Sequence, residues 1–484
     1  MANPRRSSKE TGAALLITLF ALSLFAILGL YMALNATTGL HISDNYESQT
    51  RATYAALAGL NHARSLLRGL TPDDCLKGPD GRFNEDSSYL DQAKNFRFRL
   101  PLSVLTAQAM DILNPSPDIS GIPDDGLINT GFYDGTNGTV LIPIVGISQM
   151  VPNPYGAGEI PASRYFVKVT DNNGETSEIM EDSEDNPFVD GDGILIIRSM
   201  GVAKTISEST GLIARRNSVA VFETRLKRMS TWDLGPALVV LGTGVAPTLS
   251  GSYEISGGIS PGVGTIDAAP EDAISLEQIV REAAEGNGAV TGGDLPSPSV
   301  LDITARIREN PDQSLLLNAR YLWDFIRDQA PTFTDNYYDG SQNWIGGSAP
   351  YTGFYDSTKP ANAPEQDPKI TFVNGDLSVT GNFSGGGLLI VTGNFSCSGP
   401  YEYNGLILVI GSGNLTAAGS GQGIEGGIVI ANLMNSGGGM TLGAPCISVS
   451  GNSRFISNRE VVKMAIGLIP ASQISFREIA GSDP

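Results

Sequence analysis

The chain has 484 residues, a formal net charge of −20, and only 17% charged residues against 58 Gly and 28 Pro. That length holds two or three cores, and the Gly and Pro content favours short strands and turns over long soluble helices. The acidic surface repels phosphate backbones and so excludes general nucleic-acid binding. The two histidines, His41 and His62, both lie near the N-terminus. The rest of the chain therefore lacks the base for Ser-His-Asp or Cys-His catalysis and the usual zinc ligand.

The first element is apolar. Arg5, Arg6 and Lys9 precede an uncharged stretch, and its densest part, Ala13 to Leu34, reads AALLITLFALSLFAILGLYMAL. Such a run spans a bilayer as a helix, and the basic flank keeps the first residues cytoplasmic with the body exported. A cleaved secretory signal is the alternative, but its apolar core is shorter. Beyond the run, Ile42, Tyr46, Ala56, Leu57, Leu60, Ala63 and Leu67 continue at helical spacing, with no proline until Pro72. One helix is therefore expected over 13–70, apolar all round at first and amphipathic afterwards.

The basic leader, Thr11-Gly12 before AALLITLF, and the later run SQTRATYAALAGLNHA (Ser48 to Ala63) resemble type IV pilins, and more closely the N-terminal domain of PilX-type minor pilins. The K-type minor pseudopilins of type II secretion are similar here. The resemblance implies a leader over 1–12, cut between Gly12 and Ala13 by a prepilin peptidase. It implies membrane lipid, other pilin subunits and the pilus assembly machinery as partners. Localisation would be inner membrane, then periplasm or a cell-surface pilus. Major pilins of that family carry Glu at the fifth mature position; here it is Ile17. A subunit without that carboxylate cannot neutralise a neighbour's buried N-terminal ammonium, which fits a filament end better than its shaft.

A β head is expected over 71–235. After a loop-rich stretch with a short helix near Val104 to Leu113, strands are expected over Val140 to Ile147, Tyr165 to Thr170, Gly193 to Met200 and Ser218 to Arg225. Between two of them, Asp171, Asn173, Glu175, Asp182, Asp185, Asp190 and Asp192 occur with no Lys or Arg among them. Hard oxygen donors on a Gly-containing loop suit Ca²⁺, although the spacing is not that of an EF-hand. A solvated acidic turn is the alternative.

The C-terminal part repeats. FVNGDLSVTG, LLIVTGNFSCSG, LILVIGSGNLTAAG and GIVIANL share an apolar run and a Gly or Ala before Asp or Asn; in most copies an alternating run follows. The polar markers Asp376, Asn394, Asn414 and Asn432 are separated by 18, 20 and 18 residues. This period predicts coils of a parallel β-helix, with the markers forming a ladder at the turn. ALVVLGTGVAPTLSGSYEISGG (Ala237 to Gly258) has the same plan. The solenoid is thus expected in two pieces, 236–266 and 367–478, around a helical insertion over 267–366. That insertion carries helix-like runs at Ala273 to Ala284, Val300 to Arg308 and Leu315 to Gln329, with Tyr321, Trp323, Phe325 and Trp344 as its core. PilX-type proteins with long C-terminal regions look similar, down to an ending like Phe476-Arg477-Glu478. Among Cys75, Cys397 and Cys446, a Cys397–Cys446 disulfide or three free thiols are both open.

The expected fold is mainly β: a long N-terminal α-helix with a pilin-like antiparallel sheet, then a parallel β-helix with a helical insertion. The expected function is a minor pilin or pilin-like structural subunit of type IV pilus assembly, at or near the filament tip, with adhesion as a further role. The alternatives are a type II secretion pseudopilin and a membrane-tethered β-helix enzyme acting on polysaccharide. Between Ile370 and Leu442 the only acids are Asp376, Glu402 and Glu425, with no Lys or Arg, which is poor material for glycoside hydrolysis. Glu402 and Tyr403 are the side chains available for a sugar-binding face.

Overall fold

A computed structural model describes residues 8–66, 68, 144–152, 159–171, 193–206, 213–269, 274–286, 288–359, 363, 365–420, 423–436 and 439–479. The N-terminal helix α1 runs Ser8–Leu66, 59 residues, or about 88 Å at helical rise. The strands β1 (Ile144–Pro152), β2 (Glu159–Asp171), β3 (Ile194–Ile206) and β4 (Ile213–Lys227) form an antiparallel sheet in chain order. They are longer than the apolar patterns suggest, because β3 and β4 pair along almost their whole lengths. The short helix expected near 104–113 lies outside the described residues.

The second half of α1 lies on this sheet. Its contact face is built from Ala52, Ala55, Ala56 and Ala63, all fully buried. Small residues let the helix axis come close to the strands, and Gly201 on β3 makes the approach possible. A Cβ at Gly201 would lie 1.9 Å from the Ala52 carbonyl oxygen and 2.4 Å from the Ala56 nitrogen.

The sheet's fifth strand comes from the far end of the chain. Ser472–Ile479 pairs antiparallel with β4. Glu223 on β4 sits between Arg198 on β3 and Arg477 on that last strand, each at its cross-strand partner position. The Glu223 carboxylate is 1% exposed and accepts from Arg198 Nε at 2.6 Å and from Arg477 Nε at 2.9 Å. Burial pushes the Glu223 carboxyl up, but hydrogen bonds from Arg477 and Arg198 outweigh it and the net direction is down from 4.5. Burial likewise lowers the Arg198 guanidinium to about 10.

The remainder is a three-sided parallel β-helix whose rungs are not in chain order. On its long sheet the strands run Asn336–Asp339, Asp367–Asn374, Phe383–Val391, Tyr401–Gly411, Ile424–Ser436, Leu238–Gly242, Val263–Asp267 and Val300–Asp302, every pair parallel. The chain enters at the middle, at Leu238, and winds to one end at Asp302. It then returns along the outside to the opposite end at Asn336 and winds back until Ile428 pairs with Leu238. A six-stranded second sheet follows the same order, from Gln342–Ile345 to Ala246–Leu249. The third side runs through the first halves of the longer strands and on to Arg454–Ser457, Glu254–Ser256 and Ala289–Thr291.

The two strand types of the repeat reflect two environments. The long sheet is buried on both faces. Leu389, Ile407 and Ile428 point into the solenoid, while Leu388, Leu406 and Val429 lie under helices, so these strands read as continuous apolar runs. The second sheet has one face in solvent, and NFSCSG and NLTAAG alternate accordingly, with Phe395, Cys397, Leu415 and Ala417 inward. The glycines at the bend between the third side and the long sheet stack in register, Gly387 on Gly405 on Gly426. A Cβ at Gly405 would lie 1.9 Å from the Gly387 carbonyl oxygen.

The expected insertion is not wholly helical. Val300–Asp302 is a rung, not the start of a helix, and Asn336–Asp339 with Gln342–Ile345 form the opposite terminal rung. Helix α2 (Leu276–Ala284) caps the Asp302 end with Leu276, Val280 and Ala284 turned into the core. Residues 304–333 form the return connector, broken into short α, 3-10 and π turns. Asn318 starts a new helix by accepting from the Arg320 and Tyr321 amides. The connector and a helix at Arg459–Gly467 cover the long sheet. Phe325 is in their core, whereas Trp344 fills the solenoid's interior against Phe383. Residues 459–479 leave the solenoid, so its expected boundary at 478 is too late: the last strand completes the head. Cys397 and Cys446 are free. Cys397 points inward two strands from the exposed Cys446 and out of register with it, beyond disulfide reach at about 4.8 Å per strand. Burial pushes the Cys397 thiol up to about 12.

Gly201→Ala is expected to lower stability by about 1–3 kcal/mol through overpacking, whereas Gly39→Ala on the free part of α1, where a Cβ meets nothing within 4 Å, should not. Denaturation of the detergent-solubilised chain compares the two. Because the folded-state value of Glu223 lies below 4.5, its contribution is complete above the unfolded value and lost as pH falls through the folded one. Glu223→Gln should therefore cost about 3–5 kcal/mol near neutrality by stranding Arg198, and its penalty should shrink in acid.

Candidate assembly site on the N-terminal helix

Two surfaces of α1 are chemically distinct. From Leu15 to Leu34 the large apolar side chains are exposed on every side, with Ile17 at 67% and Phe20 at 68%. A window of this helix reaches a mean hydropathy of 2.4 with none of it buried. It is the one helix among the described residues long and apolar enough to cross a membrane. Its backbone polar groups are satisfied within the helix, as hydrocarbon requires. The side-chain hydroxyls follow suit: Thr18 donates to Leu15 O, Ser23 to Phe20 O, and Thr37 and Thr38 to Leu34 O. None needs water as a partner. Gly12 and Ala13 lie in the first turns of α1.

Past the apolar run the helix acquires polar contacts with the head. Ser48 Oγ lies 2.6 Å from Ser218 Oγ, and Gln49 Nε2 donates to Val219 O at 3.3 Å. His62 Nδ1 is 2.9 Å from the Tyr165 hydroxyl on β2. Burial raises the Tyr165 phenol, which keeps it a neutral hydrogen-bonding group. Arg64 reaches Gln473 of the last strand. These contacts fix the helix in both rotation and height, so the apolar half projects from a rigid mount. On the side away from the sheet, Tyr46 and Tyr54 remain exposed at 76% and 67%.

Of the seven residues of the acidic set, Asp171 ends β2, and Asn173, Glu175, Asp182, Asp185, Asp190 and Asp192 lie outside the described residues. Among the described residues no group of three or more His, Cys, Asp or Glu is placed to hold a metal. The turn markers are partly brought together. Asn394 Nδ2 donates to Asp376 Oδ1 at 2.9 Å, and Asn414 Nδ2 donates to Asn394 Oδ1 at 2.6 Å. Asn432 is not the next step of that ladder. It lies opposite Gly411 and donates to Ser412 O, and the position beside Asn414 is Cys446. A hairpin of Leu433–Ser436 with Gly439–Leu442 intervenes there and shifts the marker. Tyr403 is 1% exposed and points into the solenoid, which removes it from any sugar-binding face; its neighbour Glu402 points the other way, half-buried.

The residues that sequence reasoning missed are Gly201, Glu223 and Ser218. Each is set by a contact across more than a hundred residues of sequence, and no local pattern marks it.

No family model matches the chain, and no curated protein matches it. Among solved structures, the competence-associated pilin ComZ from Thermus thermophilus aligns at 9% identity, covering 85% of this chain and 98% of that one, with a TM-score of 0.17. At that score the alignment carries no argument about fold or function.

A lipid-soluble carbene reagent applied to the protein in bilayers is expected to label residues 15–34 heavily. The buried face at Ala52, Ala56 and Ala63 should stay unlabelled. Mass spectrometry of the peptides reads the difference, and uniform labelling along α1 would contradict it.

Proposed function

We propose that the chain is a minor pilin or pilin-like structural subunit of type IV pilus assembly, held in the inner membrane by residues 13–34 with its body exported. The observation that carries this reading is the division of one rigid helix. Its first half is apolar on all sides and is not buried by any of the described residues, and its second half is locked onto an antiparallel sheet. A plain anchor needs no such mount. A subunit that must leave the bilayer and pack its helix among others does.

Two features support a place at or near the filament tip. Ile17 supplies no carboxylate for a neighbouring ammonium, and an unpaired buried charge costs about 3–5 kcal/mol. The solenoid with its helical cover is also bulky for repeated stacking along a thin shaft. The same helix and head suit a type II secretion pseudopilin; the solenoid's bulk favours the pilus. An enzymatic role is disfavoured by the dispersion of the three carboxylates between Ile370 and Leu442. Asp376 is bound in the turn ladder, Glu425 accepts from Ser357 and Asn458, and Glu402 lies on the third side apart from Asp376. Adhesion, if the solenoid serves it, would use its outer faces.

Two measurements test this. N-terminal sequencing of membrane-extracted protein should begin at Ala13; a start near Thr37 would indicate an ordinary secretory signal. Immunogold against the solenoid should mark filament ends. Regular labelling along the shaft, or normal piliation and adhesion without the protein, would defeat the tip assignment.

A further inference from the structure

We infer that the outer face of the six-stranded second sheet binds ice, through a two-dimensional lattice of neutral hydroxyl side chains. Alternate residues of these strands face outward. One column of them runs Ser378, Ser396, Thr416, Ser448 and Thr248, on successive coils. Two residues further along each strand, a second column runs Thr380, Ser398, Ala418 and Ser450. The pairing is parallel and unshifted throughout. The columns therefore repeat at about 4.8 Å from coil to coil and lie about 6.6 Å apart along the strands. The Asp376–Asn394–Asn414 ladder runs along one margin and holds three of these coils in step.

The chemistry of the lattice is that of water. A hydroxyl both donates and accepts, and these are little used inside the protein. Ser396 Oγ and Ser450 Oγ reach backbone carbonyls only at 3.5 and 3.4 Å, and Ser398 Oγ reaches Thr380 Oγ1 at 3.5 Å. Charge is absent. The six strands contain no Asp, Glu, Lys or Arg, in a chain with 51 acids and 31 bases. An ionic group keeps its own hydration shell and has no place in a crystal of water, whereas a neutral hydroxyl can stand at a lattice position.

The repeat selects the ligand. A partner that uses the whole face must itself be periodic in both directions, and oxygens on the prism faces of hexagonal ice repeat at lengths close to these two. A crystalline polysaccharide is also periodic, but sugar rings are gripped by flat aromatic side chains. Here Trp344 and Phe395 both point into the solenoid. The chain's own residues 69–143 and 172–192, outside the described set, are acid-rich and contain no pair of Ser or Thr two residues apart, so they carry nothing that matches the lattice. The inference rests on the solenoid and does not depend on the pilus reading.

The test freezes the full chain in lipid nanodiscs slowly onto an ice probe, with empty nanodiscs as the reference, and measures protein in the ice and in the remaining liquid. The wild type should be enriched in the ice. Thr416→Lys, at the centre of the first column and exposed, should lower the enrichment about tenfold by setting an unpartnered charge against the lattice. Ser384→Lys makes the same charge change at an exposed position on the third side and should behave as the wild type does. Ala418→Thr fills the gap in the second column and should raise the enrichment. Unchanged thermal unfolding curves will show that these exposed substitutions leave the fold intact. Exclusion of the wild type from ice to the extent of empty nanodiscs, equal loss with Thr416→Lys and Ser384→Lys, no loss with Thr416→Lys, or binding to microcrystalline cellulose without enrichment in ice would each overturn the assignment.

Discussion

The long parallel sheet of the solenoid is apolar on both faces, and most of the architecture follows from keeping water off both. The interior face is closed by the other two sides of the β-helix. The outer face needs a separate cover, provided by the connector over 304–333 and the helix Arg459–Gly467. A cover of that length has to run along the rungs, so the chain leaves the solenoid at one end and re-enters at the other. The permuted rung order is thus tied to the burial of Ile370, Leu388, Leu406 and Val429, each worth about 1.5–3 kcal/mol when removed from water.

The head obeys a different constraint, distance. Helix α1 carries alanines where it meets β3, and β3 carries glycine where it meets α1. With the helix drawn in this closely, ordered polar contacts at Ser48, Gln49 and His62 become possible at its margin. The Glu223 cluster then ties the last strand to the same sheet, on side chains that point away from the helix. Head and solenoid are consequently joined at several places along the sequence. Lys227 and Ser230 bond to Asp312 at 2.9 Å, and Arg68 bonds to Asp335.

Local physics was readable in the sequence and long-range physics was not. The apolar run from Ala13 to Leu34 announces its own environment, and the contrast between LILVI and NLTAAG distinguishes a sheet buried on both faces from one half-exposed. The Asp376–Asn394–Asn414 ladder follows from an 18–20 residue period. Asn432 misled because a hairpin inserted after it displaces the next coil. Val300–Asp302 reads as helix because a three-residue rung is too short to show alternation. The segment Ser472–Ile479 gives no sign that its partner is β4 rather than another coil, since any strand pattern is silent about which edge it will join.

The entry of the chain at mid-solenoid has a consequence for the order of folding. In a chain made from its N-terminal end, Leu238–Gly242 appears with one neighbour, Val263–Asp267, and a bare edge on the other side. That edge waits for Ile424–Ser436, almost two hundred residues later, and β4 waits longer still for Ser472–Ile479. Pairings so distant are slow to form and leave sticky edges open meanwhile. Both halves of the molecule therefore close late, once Ile424–Ser436 and Ser472–Ile479 are in place. Simple coil-by-coil winding from the first rung to the last is therefore closed to this topology.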